Sequence, residues 1–219
     1  MHSEIIRDAL ARYAGSPCFT CGFQAEGIVV LDALRRQRPD IPVLFLDTGY
    51  HFLETYQYRD RMAVRWRLNL VSLKPELPRA AQEAMFGELY RTEPTQCCRM
   101  RKVEPLLRAL EHYDIWFTGL RREQSPTRAN LDLVEQHTLP SGKRIVKVNP
   151  LAFWTKKEVW SYLRTNGIEH LPLYDRGYES IGCEPCTTVP VETGNPRSGR
   201  WGGAKLECGI HTFDREARP

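Results

Sequence analysis

Six of the seven cysteines fall in three pairs, Cys18 and Cys21, Cys97 and Cys98, Cys183 and Cys186, and Cys208 stands alone. An odd number of cysteines in a chain that opens without a basic patch and apolar run argues against a secreted disulfide framework. Four thiolates from Cys97, Cys98, Cys183 and Cys186 can close a tetrahedral zinc site or hold an iron–sulfur cluster, and free cysteine also serves as a small core hydrophobe. Adjacent side chains diverge, which suits the separate iron corners of a cubane better than one small ion. The cations Arg99, Arg101 and Lys102 follow the first pair at once and can compensate thiolate charge. Cys18 and Cys21 lie on a predicted strand and its exit, where they point to opposite sides, so both are expected in the core. Cys208, flanked by Glu207 and Gly209 with His211 three residues on, has the setting of a mobile nucleophile. Arg197 and Arg200 upstream suit the oxygens of a sulfate or phosphate.

The elements that must position these groups alternate. Helical spacing covers Ser3–Ala14, Glu26–Arg38, Leu53–Arg65 and Arg99–His112; short apolar strands cover Pro17–Cys21, Pro42–Leu46, Leu68–Leu73 and Ile115–Thr118. That alternation predicts an α/β fold with a mostly parallel sheet flanked by helices. Leu133–Leu139 and Lys143–Val148 flank Pro140-Ser141-Gly142 and predict an edge hairpin. Thr155 with Glu158 predicts a capped helix to about Asn166. After Leu171 the chain is rich in Gly, Pro, Cys and Arg, and a metal centre or bound substrate is expected to hold it. The division expected is a nucleotide-binding α/β domain over 1–190 and an irregular tail over 191–219 carrying Cys208.

Ligands of open parallel sheets bind at the strands' carboxyl ends. Three strand ends carry unusual loops: Cys21 to Gly27, including Gly22, Phe23 and Gln24; Leu46-Asp47-Thr48-Gly49; and Thr118-Gly119-Leu120-Arg121-Arg122. Neither a Walker A loop nor a G-x-G-x-x-G fingerprint occurs. The chain has 219 residues, 42% hydrophobic, and a formal net charge of +4, enough for a packed core and too mild for coating nucleic acid. Its apolar runs are too short to cross a bilayer, so neither nucleic acid nor membrane is an expected partner.

Taken together these motifs resemble the assimilatory adenylyl-sulfate and 3′-phosphoadenylyl-sulfate reductases, specifically the cluster-bearing, thioredoxin-dependent adenylyl-sulfate branch. The match runs from about residue 17 to 211 through Leu46-Asp47-Thr48-Gly49, Cys97-Cys98-Arg99-Met100-Arg101-Lys102, Thr118-Gly119-Leu120-Arg121-Arg122-Glu123-Gln124-Ser125, Ile181-Gly182-Cys183-Glu184-Pro185-Cys186 and Glu207-Cys208-Gly209-Ile210-His211. The resemblance implies an adenine-nucleotide α-hydrolase-like (PP-loop type) fold and a [4Fe–4S] cluster on Cys97, Cys98, Cys183 and Cys186. It implies that Cys208 attacks adenylyl sulfate, expels AMP and carries an S-sulfocysteine, from which thioredoxin releases sulfite. Lys102, Arg197, Arg200 and His211 would contact the phosphosulfate. Gly22, Phe23, Gln24, Leu46, Thr48, Gly119 and Arg121 would hold the adenosine. It further implies a cytoplasmic enzyme of sulfate assimilation and cysteine biosynthesis, a separate thioredoxin as donor, and a possible homo-oligomer. Competing readings are a reductase of the 3′-phosphorylated substrate or of both, a tRNA-thiolating enzyme, and an iron–sulfur redox sensor. Gly27 departs from the family's usual Asp, and Gly202 and Gly203 stand where bulkier residues are common.

Overall fold

The structure is a computed structural model, and it describes residues 2–192, 195, 197–203, 205 and 207–211. The remaining positions of the expected 191–219 tail, 212–219 among them, lie outside the described residues. Six strands form one sheet in the order β3-β2-β1-β4-β6-β5. These are β1 (Pro17–Thr20), β2 (Pro42–Leu46), β3 (Asn69–Leu73), β4 (Ile115–Phe117), β5 (Val134–Thr138) and β6 (Arg144–Val148). All neighbours pair in parallel except β5 with β6, which form the expected antiparallel edge hairpin.

Side chains alternate across the sheet with period two. Phe19, Val43, Phe45, Ile115 and Phe117 enter one core with the helices α2 (Ala25–Gln37) and α8 (Lys156–Thr165). Cys18, Leu44 and Trp116 enter the other, with Leu106 and Leu110 of α7 (Glu104–Leu110). Fully burying one such large side chain contributes roughly 2–3 kcal/mol. Cys18 and Cys21 fall in different cores, as the strand reading expects. Burial pushes both thiols far up, Cys21 to about 12, so neither carries nucleophilic character.

The helices α1 (His2–Arg12) and α3 (Leu53–Trp66) match the expected segments within two residues. Thr155 caps α8 with Glu158 in a reciprocal capping box. The stretch Arg99–His112, read as one amphipathic helix, is instead a π-helical turn over Arg99–Val103 that continues into α7. A π turn widens the helix and is common at functional sites. This one buries two charged side chains, Arg101 and Lys102. Before it stand three short helices that apolar spacing does not announce: α4 (Arg79–Phe86), α5 (Leu89–Thr92) and α6 (Pro94–Cys98). In α4 only Gln82 is buried, so no hydrophobic stripe exists to be read.

A buried carboxylate ties α2 to α8. Asp32 accepts from Arg35 at 2.6 Å and from Tyr162 Oη at 2.7 Å, and pairs with Arg36 at 2.9 Å. Burial opposes its charge, but these donors outweigh that and hold its pKa below the ordinary 3.8. A depressed carboxylate pKa stabilises the fold fully above the unfolded value and loses that contribution as pH falls through the folded one. Asp32→Asn is therefore expected to cost about 2 kcal/mol at neutral pH, the scale of a charged buried hydrogen bond. In urea melts the variant and wild type should converge as pH drops below 3.8.

Candidate active site

The strand order reverses direction between β1 and β4: the chain first builds outward from β1 to β3, then returns to β4 on the other side. Such a switch point opens a crevice at the carboxyl ends of the two strands. Here the two exit loops touch. A Cβ added at Gly119 would stand 3.1 Å from the Gly27 nitrogen, so Gly119 is glycine because backbone fills its side-chain space. At Gly27 an added Cβ would come within 3.1 Å of the Cys21 sulfur. A side chain at position 27 would therefore press on that sulfur.

Above the crevice lies a cleft of about 660 Å³. Gly22, Gln24, Leu46, Lys102, Gly119, Arg121, Arg197, Arg200, Cys208 and His211 all line it. The residues named by the three loops, the π turn and the tail thus meet in one place. The side chains of Phe23 and Thr48 do not line it. Phe23 is fully buried, edge-on to Phe45 at 5.9 Å, and it bends the first loop through a φ of +55°. Thr48 turns instead to the cysteine site, with its hydroxyl 3.3 Å from Cys183 Sγ. Arg121 lines the cleft but is a strut: it donates to Glu26 at 2.9 Å, Glu123 at 3.0 Å and the Trp154 carbonyl at 3.2 Å. Gln24 donates to the Ile181 carbonyl at 2.6 Å and so ties the first loop to the second cysteine pair.

His51, which stands in none of the sequence motifs, also lines the cleft. Its Nε2 donates to the Leu46 carbonyl at 2.8 Å, and burial pushes its pKa down to about 4, so the ring stays neutral. No spacing signal marks it; it follows the Leu46–Gly49 loop as any loop residue would.

The second pair of walls is sulfur. Cys98, Cys183 and Cys186 pack in one buried cluster with Tyr50 and Trp201, and Cys208 lies against it. Cys97 adjoins them closely enough for the Cys98 and Cys183 charges to act on it. Among the described residues no three His, Cys, Asp or Glu side chains could hold a single metal ion. Burial, then mutual repulsion, raises Cys97 and Cys186 to about 11. Cys183 goes the other way: against its burial, Lys102, the Thr48 hydroxyl and Arg200 hold it below the ordinary thiol value. Lys102 is itself buried, yet the Cys183, Cys98 and Cys208 charges outweigh desolvation and raise its pKa. Arg101 is buried beside them, donating to the Thr48 carbonyl at 2.5 Å and to Gln82 Oε1 at 2.9 Å. That bond fixes Gln82, whose side chain also acts on Cys97 as a hydrogen-bond donor that favours the thiolate. A crowd of thiols that repel as thiolates, ringed by donors and cations, fits a group that takes four thiolates and presents sulfur acceptors outward.

The tail closes the cleft. Arg200 is buried, with its guanidinium 4.3 Å over the Trp201 ring. A Cβ at Gly182 would collide with that guanidinium, so Ile181-Gly182-Cys183 needs its glycine to seat Arg200. Cys208 is half-buried. His211 stacks on Trp116 at 5.4 Å and 17°. Burial, then the positive charge of Lys147 and Arg128, holds it neutral.

The phosphoadenosine phosphosulfate reductase domain matches residues 16–189. The chain belongs to that family. Adenosine 5′-phosphosulfate reductase 1 of Bacillus subtilis (strain 168) is 41% identical over 211 residues, covering 95% of this chain and 89% of that protein. The phosphoadenylyl-sulfate reductase of Candida auris, solved as a phosphate complex, superposes with a TM-score of 0.74 at 28% identity over 85% of this chain and 90% of that one. FMN adenylyltransferase of Candida glabrata, in complex with FMN and an ATP analogue, superposes with a TM-score of 0.64 over 87% of this chain and 64% of that one. At 17% identity that likeness concerns the fold alone. The phosphoadenosine phosphosulfate reductase family chain therefore has the nucleotide-binding α/β fold its loops predict. No described helix is long and apolar enough to cross a membrane.

Proposed function

We propose that the protein is a thioredoxin-dependent adenylyl-sulfate reductase that makes sulfite and AMP through an S-sulfocysteine on Cys208. The observation that carries this reading is the convergence of Cys208 with Lys102, Arg197 and Arg200 on the wall of one cleft at the β1–β4 switch point. The volume of about 660 Å³ leaves room for a nucleotide held by the loops with its anionic end toward those cations.

The Cys208 thiolate attacks the sulfate sulfur; the S–S bond forms as the S–O bond to AMP breaks, and AMP leaves with the bonding pair. Cations around the oxygens neutralise charge as it shifts to the leaving phosphate. A thiolate of reduced thioredoxin then attacks the Cys208 sulfur, sulfite leaves, and thioredoxin's second thiol resolves the mixed disulfide. The two electrons come from thioredoxin. A [4Fe–4S] cluster on Cys97, Cys98, Cys183 and Cys186 would supply a charged sulfur wall beside the substrate, and the thiol chemistry does not pass through it. In this reading Lys102 spans the two, since it lines the cleft and responds to the Cys183 and Cys98 charges. The gathering of Cys98, Cys183 and Cys186 around Lys102 supports it. The setting would be sulfate assimilation in the cytoplasm.

Anaerobically purified protein is expected to be brown and to carry about four irons and four acid-labile sulfides per chain, as a four-thiolate cubane requires. Stoichiometric zinc in a colourless protein would remove the cluster from this reading. The function itself is tested by sulfite release from adenylyl sulfate and from its 3′-phosphate, each with reduced thioredoxin. Faster turnover of adenylyl sulfate is the expected result, and preference for the 3′-phosphate would assign the other branch.

A further inference from the structure

The segment that carries Cys208 is pinned by an ion pair that the proposed chemistry does not use. Arg128 donates from Nε to Glu207 Oε1 at 2.9 Å and from Nη2 to Oε2 at 2.7 Å. Thr127 Oγ1 donates to the same Oε1 at 2.9 Å, and Arg197 Nη2 stands 3.8 Å from Oε2. Both side chains of the main pair are only 12% exposed. Two parallel N–H···O bonds of this kind are strong and fix orientation as well as distance. Burial opposes the Glu207 charge, but Arg128 outweighs it and keeps the carboxylate ionised.

Arg128 is held as firmly as it holds. It ends the 3-10 turn Pro126–Arg128, whose start Ser125 caps by accepting from the Thr127 N–H. Its Nη1 donates to Gln124 Oε1, which also accepts from the Arg121 backbone at 3.0 Å. Nε, Nη1 and Nη2 of Arg128 are therefore all given to protein acceptors.

Beyond Cys208 the anchorage changes character. Gly209 has a φ of +94°, and a Cβ there would stand 3.2 Å from Val103 Cγ2. Ile210 packs on the core formed by Leu106, Leu110 and Trp116, and His211 stacks on Trp116. The thiol thus hangs between an ionic anchor at Glu207 and an apolar one at Ile210 and His211. Opening the ionic anchor means exchanging its partners for water at the cost of breaking a largely buried pair, whereas the partly buried apolar anchor has no polar partner to exchange.

We propose that Arg128 is a positioning residue for Cys208, acting through Glu207. While the pair is closed it aims the thiol into the cleft for attack on the nucleotide. When it opens, the thiol swings on Gly209 toward the second thiol partner. The idea rests on Cys208 as nucleophile, but its first readout does not.

The test uses the full-length, cluster-loaded protein with Arg128→Gln, Glu207→Gln and the double variant. Alkylation of Cys208 by iodoacetamide, mapped by mass on its peptide, reports exposure without any turnover. Adduct formation in a single turnover without thioredoxin reports aim, and AMP titration reports the nucleotide site. Each single variant is expected to raise the alkylation rate at least about fivefold and to slow adduct formation by a similar factor, while AMP affinity stays within about twofold. The double variant should match either single one, because both remove the same contact. Glu207→Asp, with iron content as the check on folding, covers the case of a misfolded variant and should give an intermediate alkylation rate. Additive effects in the double variant would overturn the proposal. So would a loss of AMP affinity on Arg128→Gln with Glu207→Gln silent, which would make Arg128 an anion ligand. A wild-type protein that forms no adduct on Cys208 would instead defeat the nucleophile reading and leave the alkylation result standing.

Discussion

Cys208→Ser is expected to bind nucleotide and keep its colour, yet to make no sulfite at all. A hydroxyl at that position has neither the nucleophilicity of a thiolate nor a sulfur for thioredoxin to attack, so both steps fail together. In the wild type without thioredoxin, the first step alone should run: about one AMP released per chain, then arrest, as covalent catalysis lacking its second half must show. Intact mass should rise by roughly 80 Da, the SO3 increment of such an intermediate, on the peptide containing Cys208. The serine variant should show neither the burst nor the increment. The position of the thiol supports this: Cys208 lines the cleft with the cations, while Cys18 and Cys21 lie in separate cores with raised pKa values. An adduct mapped to Cys18 or Cys21, or turnover in the serine variant, would refute the assignment.

What the sequence discloses about this site follows from the range of each interaction. The strand loops are legible because they join periodic segments, and the switch point follows from strand order; Gly22, Leu46 and Gly119 meet there as expected. The cysteine pairs are legible because their residue type is rare and their spacing close. Arg121 and Thr48 show the limit. Both stand in the expected loops, but a side chain's direction depends on partners far along the chain, Glu26 for one and Cys183 for the other. The π turn was hidden for a related reason. Four-residue spacing from Cys98 to Lys102 reads as ordinary helix, and nothing local distinguishes a helix widened to bury two cations. Gln82 and Arg128 carry no motif of their own. Gln82 is identified by its burial between Arg101 and Cys97, and Arg128 by a carboxylate 79 residues away.

Lys102→Ala is expected to lose about 2–4 kcal/mol of transition-state stabilisation, a fall of roughly 30- to 1,000-fold in turnover, the range seen when one preorganised charged contact is removed. A surface lysine would cost almost nothing, so the magnitude depends on where this one sits. Lys102 is 8% exposed, and the favourable interaction of its ammonium with Cys183, Cys98 and Cys208 outweighs desolvation and raises its pKa. It also faces the cleft, so a single ammonium serves the sulfur wall and the substrate's anionic end at once. Its removal should leave Cys183 less readily ionised, because Lys102 is the largest influence lowering that thiol's pKa. Lys102→Arg restores the charge but spreads it over a larger planar fork, and should recover only part of the activity. Lys102→Met keeps the packing without the charge, and should resemble alanine in rate while retaining iron better. Measured kcat and iron content for the three variants separate the two duties. A methionine variant with near-normal turnover would show that Lys102 only fills space.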